Sequence, residues 1–254
     1  MQLWLLRQKQ TQKWDNVINT IQVVDLLLTI SPEQTFHEPE LPKVVFSATP
    51  NTSLSLTSEQ NSPTAGVGYS KVPVPNEMLK SSSVSVTKMS EGISWGCVYG
   101  QFLENLDAVQ QQSSGELSIS RKAYVEVSNG SGKEWRELKA GDALSIGDKV
   151  KIRMTVNADR DMDFVQIRAQ HAACLEPLKL RSGYQSLGGR GGYLSLHDAS
   201  ADVFFDWYRK GSATIDLDFY VTRSGNYSLG VATIQCAYAS EFAGHSKGDR
   251  IVVK

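Results

Sequence analysis

The sequence contains one grouping of residue types that could support acyl transfer, which is His197-Asp198 with Ser200 close by. A serine nucleophile needs a histidine base and a carboxylate that orients the imidazole, so these three types could form a triad. A triad is defined by spatial geometry, and proximity along the chain does not supply that geometry. The remaining histidines, His37, His171 and His245, are isolated. We therefore predict no catalytic residue and no enzymatic activity.

Asp159, Asp161 and Asp163 alternate in the way that carboxylates alternate in a calcium-binding loop. In such a loop a glycine makes the sharp turn at the sixth position, and a bidentate glutamate closes the site at the twelfth. Phe164 and Gln170 stand at those two positions. The stretch therefore predicts a solvated hairpin tip, and we assign no metal ligand.

Residues 188–192 read Gly-Gly-Arg-Gly-Gly, which could cradle a phosphate if the run led from a strand into a helix. Residues 193–196 are strand-like, so the run predicts a flexible hairpin between strands and no cofactor site. Cys97, Cys174 and Cys236 are far apart and form no Cys-x-x-Cys pair, which leaves zinc and redox sites unsupported. Their expected place is inside strands, as small buried hydrophobes.

Charge and hydropathy exclude several classes of partner. The 254 residues include 26 basic and 27 acidic side chains, for a net charge of -1, so no electrostatic argument favours nucleic acid. The apolar run at residues 23–30 is interrupted by Asp25 and is shorter than the roughly 20 residues of a membrane span. No signal peptide is visible. The chain is expected to be either cytoplasmic or a piece of a larger protein.

Alternating hydrophobicity predicts the fold class. Val150, Ile152, Met154 and Val156 alternate with charged or polar residues, and residues 215–222 repeat this pattern. Because a strand turns successive side chains to opposite faces, each run predicts a half-buried strand. Many short strands with regular turn signals predict an antiparallel β-sandwich of macroglobulin or immunoglobulin type over residues 96–254.

The first part of the chain differs in composition. Residues 1–30 are predicted to be one helix, capped by Thr11 or Asp15 and ended by Ser31-Pro32, with an apolar stripe too wide for a lone helix to bury. Residues 31–95 are rich in proline, serine and threonine, which predicts a small β region or a linker. The fold class is thus mostly β, preceded by a single helix and a small β region.

Several segments resemble the carboxy-terminal end of bacterial alpha-2-macroglobulin-like proteins, particularly those of the Bacteroidetes kind. Residues 14–28 look like the closing helix of a thioester-type helical domain, and residues 93–107 look like the segment that leads into the terminal macroglobulin domain. The segments that resemble the terminal domain follow one another in order, namely residues 147–153, 159–165, 204–206, 210–211 and 238–246.

The resemblance implies a role in a protease trap that is held in the periplasm or at the cell surface. In such traps, cleavage of a bait segment triggers a rearrangement, and a thioester built from Cys-x-Glu-Gln captures the protease in many members. Here Ser31 and Thr57 occupy the cysteine position before the two Glu-Gln pairs, and no cysteine precedes x-Glu-Gln. The chain by itself is therefore not expected to perform the covalent step.

Two functions follow as expectations. The first is a structural carboxy-terminal module of an endopeptidase inhibitor, whose partners are the preceding domains of a parent chain and, through the parent, target proteases. Its expected parts are a helix fragment at 1–30, a small β region or CUB-like remainder at 31–95 and a sandwich at 96–254. The alternative is an extracellular module that presents residues 181–193 to a carbohydrate or a protein.

Overall fold

The structure is a computed structural model that describes most of the second half of the chain and shorter stretches of the first. The described residues are 4, 5, 9, 13, 14, 16–30, 42–48, 52–55, 61–64, 67–70, 73–75, 82–89, 103–130, 132–178 and 181–254. They form two compact units. Apart from the first two residues, one unit holds Leu3–Lys13 and Phe102–Lys254, and the other holds Trp14–Gln101.

Helix α1 (Val17–Ile30) belongs to the second unit and is shorter than the predicted helix over residues 1–30. Asn16 caps it, because Asn16 Oδ1 accepts a hydrogen bond from Asn19 N at 2.8 Å, while the predicted caps Thr11 and Asp15 lie outside the described residues. Lys13 and Trp14 lie outside the helix, so the predicted stripe loses its first member, Trp14.

The apolar stripe of α1 is exposed, as the sequence predicts. No residue of the helix is buried; six of its apolar side chains are exposed, from 73% at Val17 to 39% at Leu28, and Val23, Leu26 and Leu27 are half-buried. A helix with this much uncovered apolar surface is not stabilised by its own packing.

The same unit carries short antiparallel strands, as the sequence predicts for residues 31–95. They are β1 (Lys43–Ala48), β2 (Thr52–Ser55), β3 (Asn61–Thr64), β4 (Val67–Ser70) and β5 (Ser82–Thr87). Strand β1 is central in a sheet of order β2-β1-β5, while β3 and β4 form a hairpin. The sequence predicts a turn near residues 66–69, and this is wrong because β4 occupies most of that stretch. The strand predicted at residues 93–102 lies outside the described residues.

The other unit is mostly β; apart from the helical residues Trp4, Leu5 and Lys9, its described residues include one short 3-10 turn at Leu106–Ala108. Its first strands are β6 (Gln112–Ser113), β7 (Leu117–Asn129), β8 (Gly132–Glu137), β9 (Ala143–Leu144), β10 (Lys149–Ala158), β11 (Met162–Gln170) and β12 (Leu175–Pro177). Its later strands are β13 (Gly183–Leu187), β14 (Arg190–Leu196), β15 (Ser200–Tyr208), β16 (Gly211–Val221), β17 (Gly225–Gly230), β18 (Ala232–Cys236), β19 (Ala239–His245) and β20 (Asp249–Val253).

Two large antiparallel sheets and one small sheet make up this sandwich. The five-stranded sheet has the order β12-β16-β10-β7-β8, and the seven-stranded sheet has the order β13-β14-β15-β11-β18-β19-β6. A three-stranded sheet, β17-β20-β9, includes a parallel pairing of β20 with β9. The mostly β fold with antiparallel sheets agrees with the predicted fold class.

The inward faces of the two large sheets form one continuous hydrophobic core. On β10 the predicted inward residues Val150, Ile152, Met154 and Val156 are all at most 1% exposed. The residues that pair with them on the neighbouring strand β16 are also buried. Ile152, for example, lies opposite Leu217. Burial of one such side chain stabilises the fold by roughly 1.5–3 kcal/mol.

Several strand boundaries differ from the prediction. The sequence predicts separate strands at residues 117–119 and 123–127, whereas β7 runs without interruption through Arg121. It predicts no strand at β8, where charged residues and an edge position remove the alternating pattern. The loop expected at residues 104–115 contains β6. No helix among the described residues is both long and apolar enough to cross a membrane.

Candidate functional site

His197 lies beside a serine and a carboxylate that the sequence grouping does not name. Its Nε2 is 3.3 Å from Ser195 Oγ and 3.8 Å from Asp202 Oδ2. A catalytic triad places the serine and the carboxylate at opposite ring nitrogens, whereas here both approach the same nitrogen. Ser200 meets His197 through its carbonyl oxygen, which accepts a hydrogen bond from His197 N in the turn between β14 and β15. The geometry does not assemble a serine-hydrolase triad at His197.

The chain also contains two Gly-x-Ser-x-Gly stretches, centred on Ser94 and Ser246, which are a possible signature of a nucleophile. Ser94 lies outside the described residues. Ser246 is fully buried between β19 and β20, where its hydroxyl donates to Lys247 O and accepts from Ala232 N. A nucleophile elbow exposes its serine between a strand and a helix, so Ser246 does not fit that role.

The carboxylates of Asp159, Asp161 and Asp163 each bind a different partner within the protein and do not converge on one point as the ligands of a calcium loop do. Asp159 forms a bidentate pair with Arg160, and the hydrogen bonds from this guanidinium hold the pKa of Asp159 below its ordinary value. Asp161 Oδ1 accepts a hydrogen bond from Lys210 N at 2.6 Å. Asp163 Oδ2 accepts one from Lys13 N at 2.7 Å. Among the described residues no group of three or more metal-ligating side chains converges, there or elsewhere.

The glycine-rich run forms the tight hairpin between β13 and β14. Leu187 pairs with Arg190, so Gly188 and Gly189 are the two loop residues, and both have positive φ (61° and 77°). Two consecutive positive φ values are the requirement of a type I′ hairpin turn. The Arg190 guanidinium lies 4.2 Å from the centre of the Tyr208 ring, within the sandwich. The predicted hairpin is therefore confirmed.

The cysteines and the other histidines lie mostly in the core. Cys174 and Cys236 are free and buried, and desolvation raises the pKa of both thiols. Cys174 is followed by Leu-Glu-Pro, so proline stands where a thioester motif has glutamine. His171 is buried against the Phe219 ring. Cys97 and His37 lie outside the described residues.

The outward face of the five-stranded sheet is a lattice of paired charges. Arg153 forms a bidentate pair with Asp216 at 2.8 and 2.7 Å, and this bond holds the pKa of Asp216 below its ordinary value. Lys151 lies 3.6 Å from Asp216, and its ammonium also covers the Trp135 ring at 4.3 Å. The other pairs on this face are Lys122 with Glu137, and Lys133 and Lys149 with Glu126. Lys151 also lies 3.9 Å from Asp218, so every charge in these pairs has an oppositely charged neighbour within 4 Å.

The outward face of the seven-stranded sheet carries aromatic rings instead. Tyr184, Tyr193 and Phe204 are register partners on β13, β14 and β15, and all three are exposed. The rings of Tyr184 and Tyr193 meet edge to face, with centroids 5.2 Å apart. The next register row is polar, because Ser195, Asp202 and Arg168 pair across the same sheet. The predicted binding segment, residues 181–193, supplies two of these rings.

Comparison with known families identifies most of this unit. The family model described as the bacterial alpha-2-macroglobulin MG10 domain matches residues 117–241. Residues 117–241 are therefore a bacterial alpha-2-macroglobulin MG10 domain. The match begins at β7 and ends within β19, so it contains the glycine hairpin, the charge lattice and the aromatic row. It is the macroglobulin module that the resemblance implies.

Solved structures of bacterial alpha-2-macroglobulins are also similar to the chain. Salmonella alpha-2-macroglobulin reacted with methylamine is 14% identical, with a TM-score of 0.46, and the match covers 86% of this chain and 14% of that one. Native Escherichia coli alpha-2-macroglobulin from domain MG7 to the C-terminus is 15% identical, with a TM-score of 0.44, over 85% and 33%. The trypsin-activated Escherichia coli protein is 14% identical, with a TM-score of 0.46, over 84% and 15%.

This chain spans a third or less of the length of each of these relatives. Comparison with curated protein sequences gives no match.

Arg121 is a buried residue of the MG10 domain that the sequence reasoning missed. It is 4% exposed, and its guanidinium donates to the carbonyl oxygens of Gln170, Leu229 and Gly230. These acceptors lie at the ends of β11 and β17, so one side chain on β7 joins all three sheets of the sandwich. The alternating pattern indicates the inward position of Arg121, because residues 117, 119, 121, 123 and 125 share one face and that face packs into the core.

Proposed function

We propose that the chain is a structural carboxy-terminal module of an alpha-2-macroglobulin-like endopeptidase inhibitor. Its role is architectural and non-enzymatic: the sandwich packs against other domains of a parent chain and moves with them when the parent's bait segment is cut. The observation that carries this proposal is the MG10 match over residues 117–241. The parent would be a periplasmic or surface-held protease trap, of the Bacteroidetes kind.

The polar side chains of the MG10 domain bind groups within their own unit, which supports an architectural role. Arg121 and the aspartates of the β10–β11 turn bind backbone groups or neighbouring side chains of the same unit. The lattice on the five-stranded sheet is paired internally. Enzymes concentrate perturbed titratable groups in a cleft, whereas these groups are distributed over turns and sheet faces.

The uncovered stripe on α1 supports a parent chain with further domains. Exposed apolar surface of this kind marks an interaction site, and the preceding domains of the parent are the partners proposed for it. In this proposal residues 1–30 are the end of a thioester-type helical domain, residues 31–95 a small β region, and residues 96–254 the terminal sandwich. Contact with a target protease would occur only through the parent.

The test uses the complete parent protein. It is incubated with active trypsin and, as a control, with trypsin whose catalytic serine has been blocked. Active trypsin should cut the parent, change its sedimentation coefficient and remain associated with it, whereas blocked trypsin should do none of these. A parent that leaves trypsin free and retains its shape after cleavage would contradict the inhibitor role.

A second candidate function is carbohydrate or protein binding by the seven-stranded sheet. It is favoured by the aromatic row, in which Tyr184 is 76% exposed beside a row of hydrogen-bonding side chains. A sugar presents a similar division between an apolar C–H face and a rim of hydroxyl groups. Tyr184→Ala and Tyr193→Ala should abolish binding to a glycan array, while Tyr220→Ala on the other sheet should not. An array on which the unsubstituted chain binds nothing would dismiss glycan recognition.

A further inference from the structure

Asp163 and Phe164 lie at the start of β11, where the backbone takes an unusual conformation. Phe164 has φ 57°, and among the described residues it is the only residue other than glycine with positive φ. This region is strained for a residue with a side chain, and it persists only where surrounding contacts enforce it. The contacts around Phe164 must therefore stabilise this conformation.

One consequence of this conformation is a change in which residues face the core. Met162 and Val165 are both buried, although residues three apart on a regular strand point to opposite faces. Asp163 and Phe164 lie between them and are both half-buried. The positive φ thus brings two core residues to the same side and leaves the Phe164 ring in contact with Tyr238 and Lys13.

The turn between β18 and β19 holds this arrangement from one side. Ala237 N donates to Phe164 O at 2.9 Å, and Cys236 Sγ donates to Asp163 O at 3.3 Å. The Tyr238 ring meets the Phe164 ring edge-on, with centroids 5.1 Å apart. Backbone and ring contacts therefore fix the turn to the strained residue.

Lys13 holds the arrangement from the other side, although 150 positions separate it from Asp163. Its backbone N–H donates to Asp163 Oδ2 at 2.7 Å, and its ammonium lies 5.6 Å from the centre of the Phe164 ring. A hydrogen bond to a carboxylate and a cation over a ring are both stronger than their neutral counterparts. Lys13 is also the last residue of its segment in this unit, because the other unit begins at Trp14.

We propose that Asp163, Phe164 and Tyr238 form a docking site for the amino-terminal segment that ends at Lys13. In this site the segment supplies one backbone N–H and one ammonium group, and the strained Phe164 couples their binding to the order of the β18–β19 turn. Release of Lys13 removes contacts that enforce the positive φ, so the turn loosens with it. This inference goes beyond the proposed function and does not depend on it.

The first test measures how well docking protects the Lys13–Trp14 peptide bond from trypsin, which cuts after lysine. Limited proteolysis of the full chain, followed by mass spectrometry, gives the rate of cleavage at that bond. Asp163→Ala should raise this rate about tenfold, because it removes the charged acceptor of the Lys13 backbone hydrogen bond. Asp159→Ala is the matched control, since Asp159 pairs with Arg160 in the same turn. Equal rates for Asp163→Ala and the unsubstituted chain would overturn the docking site.

The second test removes the docked group without touching the sandwich. Lys13→Pro lacks both the N–H donor and the ammonium, and hydrogen–deuterium exchange then reports on the backbone N–H of Ala237. Exchange at Ala237 should become several-fold faster, while exchange in the core strand β10 stays unchanged. Unchanged exchange at Ala237 would overturn the coupling, and this holds even if Asp163→Ala proves too unstable to assay.

Discussion

Arg121 Nη1 lies 2.9 Å from the carbonyl oxygen of Gln170, and this hydrogen bond joins the five-stranded sheet to the seven-stranded sheet at the end of β11. Burial lowers the pKa of Arg121 to about 10, which leaves the guanidinium charged at neutral pH. The cost of burying that charge is offset by three carbonyl acceptors on the two other sheets.

Replacement of Arg121 should be strongly destabilising. Arg121→Met fills a similar volume but leaves the carbonyl groups of Gln170, Leu229 and Gly230 without their donor in a buried setting. We expect the free energy of unfolding to fall by roughly 3 kcal/mol, measured by urea denaturation. Lys122→Met is the control, because Lys122 points outward beside Glu137, and it should leave the urea midpoint nearly unchanged. Equal effects for the two variants would contradict the role of Arg121.

The Arg153–Asp216 pair should make stability depend on acid pH. Hydrogen bonds from Arg153 hold the folded-state pKa of Asp216 below its ordinary value of 3.8, so the folded state binds this proton less readily than the unfolded state. The contribution is therefore present above that ordinary value and is lost as pH falls through the lower folded pKa. Asp216→Asn should reduce the loss of stability that occurs as pH falls below the ordinary pKa of 3.8, compared by urea midpoints. An unchanged pH dependence would show that the pair does not contribute.

The two loop glycines of the β13–β14 hairpin should respond differently to alanine. Both have positive φ, but a Cβ at Gly188 would lie 2.6 Å from Thr214 O, whereas one at Gly189 would meet nothing within 4 Å. Gly189→Ala should cost about 1 kcal/mol from backbone strain alone. Gly188→Ala should cost about 1–2 kcal/mol more because β16 must shift. Thermal unfolding of both variants would measure this order, and the reverse order would contradict the close packing of the hairpin against β16.

The exposed stripe of α1 should make the chain associate with itself at high concentration. Val17, Ile18 and Ile21 are each more than 60% exposed, and apolar surface in this amount favours burial against a partner. Ile18→Lys together with Ile21→Lys should shift the sedimentation profile toward monomer without lowering the unfolding midpoint. The core substitution Ile152→Ala provides the contrast, with an expected loss of roughly 2–5 kcal/mol. If the lysine variant associates as strongly as the unsubstituted chain, self-association does not occur through the stripe of α1.

The strands that bury one face were predictable because their alternation is a local property. The inward faces of β10 and β16 follow from residues such as Ile152 and Leu217, whose alternation with polar residues can be read directly. The division of β7 was wrong for an informative reason: Arg121 breaks the apolar pattern at an inward position, and its three acceptors lie 49 or more positions away. No local sequence pattern shows that residues so far along the chain will supply the hydrogen-bond acceptors for a buried guanidinium group.

The candidate sites were less predictable than the strands. The sequence grouped His197 with Ser200, but antiparallel register brings Ser195 and Asp202 to the imidazole instead. It treated Asp163 as a free carboxylate at a hairpin tip, yet its partner Lys13 comes from the far end of the chain. Side chains meet across a sheet by register and across a chain by tertiary folding, and neither can be derived from spacing along the sequence.

The charge lattice on the five-stranded sheet has a kinetic consequence. Since Lys151 and Arg153 lie beside the two carboxylates of Asp216 and Asp218, their fields cancel within a few ångströms and little potential extends into solvent. A partner that approaches this face is not steered by long-range attraction. Its association rate should therefore be set by ordinary diffusion and be nearly independent of ionic strength.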